Sequence, residues 1–145
     1  MSKLNTEEID KLLKRGVLEK RESNDSEIQD LLKIVERDIE DSAKEEISHD
    51  WQFGIAYNAA LKLANVLVRS SGYRVKGGSH HMNTIAMIPN ILGEEMRDDA
   101  DYLDTCRRKR NVVEYDCVGG ATKRDIDELR EFVLEFQKVV LKWLE

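Results

Sequence analysis

At 145 residues, with one proline, 41% hydrophobic and 36% charged residues, the chain is one domain by length and can bury a core without disulfide or metal staples. A formal net charge of −6 excludes a protein that coats nucleic acid through its whole surface and leaves only a local basic patch for phosphate. No run approaches the roughly 18 apolar residues of a membrane span. The N-terminal stretch from Met1 to Glu8 lacks a signal peptide's apolar core, so the expectation is a cytoplasmic protein with no membrane partner.

Thr6, followed by Glu7 and Glu8, predicts a capped, peripheral helix to Arg15 with Leu12 and Leu13 inward and Gly16 as its stop. A polar linker follows, so residues 1–24 read as a short helix and linker and residues 25–145 as a helical bundle. Ile28, Leu32, Val35, Ile39, Ala43 and Ile47 recur every three or four positions and predict a long amphipathic helix. Asp50 then begins a helix from Trp51 to about Arg69 that is apolar around more than half its circumference and therefore central. Tyr73 to Gly78 reads as the one long loop.

Ser79 caps a shorter helix through Met82, Ile85, Ala86 and Ile88, which Pro89 closes or kinks and Gly93 stops. The next helix starts in acid, Glu94 to Asp104, and ends in base, Arg107 to Arg110, the sense the helix dipole favours. Gly119-Gly120 terminates it, Thr122 caps the last helix, and Ile126, Leu129, Val133, Phe136, Val140, Trp143 and Leu144 give that helix its stripe. Trp51 and Trp143 are expected in the core. No strand pattern competes, and the expected fold is all-α, an up-and-down four-helix bundle with additional short helices.

The chemistry gathers late in the fifth helix. At roughly 100° per residue, Met96, Ala100 and Leu103 share one face, and Arg107, Arg110 and Glu114 follow on it. A guanidinium on a buried face costs several kcal/mol unless a carboxylate, water or a ligand phosphate satisfies it. Ordinary ion pairing with the helix's own acids is the plain explanation, worth a few tenths of a kcal/mol per pair. The mix of types favours a site: Arg107 and Arg110 can fork onto phosphate, Asn111 can donate and accept, and Tyr115 adds a phenol.

His80 and His81 stand at a helix start where backbone N–H groups and the dipole attract anions, and with Arg74 and Lys76 they could rim a phosphate site. Adjacent histidines on a helix diverge by about 100°, and no third ligand is indicated, so no metal is expected. Cys106 and Cys117, about 16 Å apart along one helix, are too distant to bridge and read as reduced thiols. No Walker loop, nucleophile elbow or dinucleotide fingerprint is present, and no cofactor is expected.

An Arg-Asn pair, Arg110-Asn111, late in a bundle helix, followed within a turn by an aromatic, then a glycine break and a terminal amphipathic helix, resembles the HEPN superfamily over about residues 25–145. The resemblance implies a homodimer with an RNA- or nucleotide-directed role, often beside a nucleotidyltransferase in toxin–antitoxin or defence modules. Many such domains are metal-independent ribonucleases whose arginine, polar residue and later histidine line a cleft between subunits. Arg110 and Asn111 match the first two; the aromatic Tyr115 stands where a histidine would, and no histidine follows Arg110 anywhere. A phenol of ordinary pKa near 10 is a poor base at neutral pH, so the resemblance implies a binding module first. A ribonuclease that borrows His80 or His81 is the second reading.

Overall fold

The computed structural model describes residues 3–115 and 118–145; the side chains of Glu114 and Tyr115 lie outside the described residues. The described chain is predominantly helical: α1 (Thr6–Lys14), α2 (Asp25–Ser42), α3 (His49–Ser70), α4 (His80–Leu92), α5 (Arg97–Tyr115) and α6 (Lys123–Leu144), with a 3₁₀ turn, Glu94–Met96, leading into α5. Two strands that periodicity does not predict, β1 (Leu18–Lys20) and β2 (Tyr73–Val75), pair antiparallel with Leu18 opposite Val75 and Lys20 opposite Tyr73. Each has only three residues, too few for an alternation to be read, and the expected long loop is thereby half strand.

Side-chain caps set most helix starts. Asn5, one residue before the expected Thr6, accepts from Glu8 N, and Asn24 accepts from Glu27 N. Ser48 accepts from Trp51 N, so α3 begins a turn's fraction before Asp50. Thr122 and Asp125 form a reciprocal capping box at α6. The predicted run of α2 to Ile47 is shortened: the helix ends at Ser42, whose hydroxyl donates to Ile39 O, and the chain turns through residues 43–47 toward the Ser48 cap.

Helix α3 is the spine, packing against α2, α4, α5 and α6. Its alanines at 56, 59, 60 and 64 are buried and let neighbouring helices approach closely, while Phe53, Tyr57, Leu63 and Leu67 fill the space between. Helix α1 is less peripheral than expected, because Ile9 is 1% exposed and joins the common core with Leu18. Trp51 is the reverse, 64% exposed at the first turn of α3, whereas Trp143 packs at the core's edge.

Polar ties fix the helices' register. The buried carboxylate of Asp38 on α2 accepts from Lys62 Nζ on α3 at 3.0 Å and from Arg37. Arg130 Nε on α6 donates to Ser42 Oγ, and Gln52 Nε2 donates to Ser42 O, joining three helices at one end. At the start of α3, the Asp50 carboxylate accepts from Gly119 N at 2.7 Å and Ala121 N at 3.0 Å, clamping the α5–α6 turn. Asp50→Ala is expected to lower the unfolding free energy by about 1–2 kcal/mol in urea melts. An unchanged midpoint would show that the clamp is merely incidental.

Candidate functional site

The first turn of α4 meets the basic end of α5 across a cleft of about 440 Å³ lined by Gly78, Ser79, His80, His81, Met82, Arg107 and Asn111. Ser79 occupies the N-cap position without making a side-chain cap bond, so the first N–H groups of α4 are left to other acceptors at this rim. Gly77, with φ of +91°, lets the chain turn sharply from β2 into that helix start. Met82, expected to face inward, is 44% exposed and forms part of the lining instead.

On α5 the buried stripe continues past Leu103 to Cys106 and Val113, and the arginines flank it rather than replace it. Arg107 keeps only 20% of its side chain exposed, against 66% for Arg108, and its Nε donates to Asp104 Oδ1 at 2.8 Å. Lys109 turns away to pair with Asp125 of α6 at 2.9 Å. Arg110 is half-buried; its Nη1 lies 3.5 Å from Asn111 Oδ1, and its guanidinium carbon sits 5.7 Å from the centroid of the Tyr57 ring.

Tyr57 is the residue that sequence reasoning missed. Fully buried on α3, it touches Arg110 through its ring and His81 through its hydroxyl, 3.3 Å from Nδ1, with the two ring centroids 6.0 Å apart. Burial pushes the phenol well above its ordinary range, against the pull of Arg110 and Arg107, so the hydroxyl keeps its proton. A signal existed: a phenol on an otherwise apolar helix face must find a hydrogen-bond partner when buried, which marks polar groups nearby.

Four of the residues singled out from sequence, His80, His81, Arg107 and Asn111, thus share one cleft, and Arg110 adjoins it through Asn111 and Tyr57. Arg74 and Lys76 lie on and just after β2, each within 3.6 Å of Glu19 on β1, and are not among the lining residues. The Tyr115 side chain falls outside the described residues, as does Cys117. Among the described residues no three histidine, cysteine or acidic side chains come together as metal ligands, and no helix is long and apolar enough to cross a membrane.

Cys106 is buried beside Tyr102, and burial raises its thiol to about 11. In a Cys117→Ser background, Cys106 is expected to react with iodoacetamide at least about tenfold more slowly in the folded protein than in urea, because little thiolate forms near pH 8. Equal rates would contradict its burial.

Comparison with protein-family models, curated proteins and solved structures gives no match for this chain. The cleft's chemistry therefore rests on its own residues. A cleft with an arginine, an amide, two imidazoles and a helix start, and with no carboxylate among its lining residues, is built to receive an anion in an otherwise acidic protein.

Proposed function

We propose that the chain is a HEPN-like helical-bundle protein acting as a binding module, whose cleft between α4 and α5 takes a phosphate of RNA or of a nucleotide. In this reading α2, α3, α5 and α6 form the up-and-down four-helix bundle. The protein works in the cytoplasm as a homodimer, in the company of a nucleotidyltransferase-type partner of a toxin–antitoxin or defence system. The observation that carries the ligand class is the convergence of Gly78–Met82 with Arg107 and Asn111, far apart in sequence, on one cleft. Guanidinium and backbone N–H groups recognise phosphate by charge and by geometry, and neither requires a metal.

A second reading, metal-independent endoribonuclease, draws on the same cleft, because it holds two imidazoles beside Arg107 and Asn111 and so contains groups able to move a proton. Here Arg110 would stabilise the charge of the transition state. Incubating the protein with total RNA in EDTA, beside Arg110→Ala and a His80→Ala/His81→Ala double variant, separates the two. Intact RNA with binding lost in Arg110→Ala is the expected result. RNA cleaved by the wild type but not by the variants would favour the nuclease, and neither binding nor cleavage would refute both.

A further inference from the structure

The buried Tyr57 hydroxyl decides which way the neighbouring imidazole can act. Among the described residues its hydrogen-bond partner is His81 Nδ1 at 3.3 Å. A phenol proton buried without an acceptor forfeits its solvation, so the arrangement in which Tyr57 donates and Nδ1 accepts is the one that leaves nothing unsatisfied. The alternative, with the proton on Nδ1, would set two donors face to face unless the hydroxyl turned its hydrogen into the apolar core. Arg110 against the Tyr57 ring, and Arg107 near it, do not ionise the phenol, since burial outweighs them.

We propose that Tyr57 is a positioning residue that fixes neutral His81 as the Nε2–H tautomer, so that His81 meets a cleft ligand as a hydrogen-bond donor and not as a base. This rests on reading the cleft as a phosphate site and narrows what it accepts. A phosphate oxygen, which only accepts, matches an Nε2–H donor set among Arg107 and Asn111. A ribose hydroxyl that must lose its proton finds no lone pair on His81, because Nδ1 is taken by Tyr57 and Nε2 carries hydrogen. Any cleavage in this cleft would therefore need a base other than His81.

The test reads the tautomer directly and needs no ligand. Long-range proton–nitrogen correlation spectra of ¹⁵N-histidine protein, recorded near pH 8 where an ordinary imidazole is neutral, distinguish the two ring nitrogens. Resonances are assigned with His80→Ala and His81→Ala. The expected result is an unprotonated, hydrogen-bonded Nδ1 on His81 in the wild type. In Tyr57→Phe that nitrogen shifts toward the range of a bare acceptor, while His80 stays in place. Affinity for inorganic phosphate should fall roughly 3- to 10-fold in the same variant.

A proton on Nδ1 of wild-type His81, or an Nδ1 resonance indifferent to Tyr57→Phe, overturns the proposal. Should the tautomer be as expected while the wild type binds no phosphate, the positioning by Tyr57 stands and the phosphate reading of the cleft fails. Because the wild-type spectrum alone decides the tautomer, a Tyr57→Phe protein that failed to fold would still leave the proposal open to refutation.

Discussion

Leu63→Ala is expected to remove about 2–5 kcal/mol of unfolding free energy, the largest effect of any single truncation considered. Leu63 is wholly buried on α3, among Ala59, Ala60 and Leu67, on the helix that touches four others. Deleting three carbons there loses both the transfer free energy of the side chain and its contacts, and a spine held by helices on several sides collapses poorly into the hole. The measurement is a urea midpoint at constant slope, set beside Leu134→Ala, which is exposed on α6 and should cost no more than about 0.5 kcal/mol. Equal losses in the two variants would mean that α3 is not the centre of the core.

Arg110→Ala is expected to weaken RNA binding about 10- to 100-fold, the span of one charge-assisted hydrogen bond to a phosphate. Fluorescence anisotropy with a labelled RNA reads it, and the dependence on salt should flatten at the same time, because one fewer counterion is released. Arg110→Lys should recover only part of the affinity: lysine keeps the charge but loses the flat guanidinium that rests against Tyr57 and its second donor edge. Full affinity in a folded Arg110→Ala protein would remove Arg110 from the site, leaving Arg107 and Asn111 to hold any ligand.

Much of the helical skeleton is legible in the spacing of apolar residues. Ile28, Val35 and the central stretch from Phe53 to Val68 announce α2 and α3, and Ile126, Leu129, Val133, Phe136 and Val140 announce α6. What spacing cannot tell is where a capping side chain outcompetes the next apolar residue: Ala43 and Ile47 continue the α2 pattern, yet the chain leaves the helix at Ser42 to reach the Ser48 cap. Trp51 misleads for a related reason, since the first turn of a central helix can protrude beyond its neighbours.

The candidate cleft was half legible. Arg107, Asn111, His80 and His81 stand out by type, but only folding could show that α4 begins beside the end of α5. The α5 stripe was misread because Cys106 and Val113 carry it one step around the helix, which makes the arginines flanking residues instead of intruders. Tyr57 stayed hidden among alanines on the most apolar helix, where a phenol and a core aromatic look alike in sequence. Arg74 and Lys76 looked available as long as their segment was taken for a loop; the strand opposite supplies Glu19 to both.

That strand opposite has a further bearing on the cleft. The pairing of Leu18–Lys20 with Tyr73–Val75 encloses the whole α2–α3 hairpin, so its closure entropy is spent only after the hairpin has formed, and it is among the last contacts made and the first released. Gly78–Met82 follow β2 directly and take their anchorage from it. Fraying of the N-terminal segment and loosening of the anion cleft are thereby one opening event, and a ligand held in the cleft should slow amide hydrogen exchange as far away as Leu18.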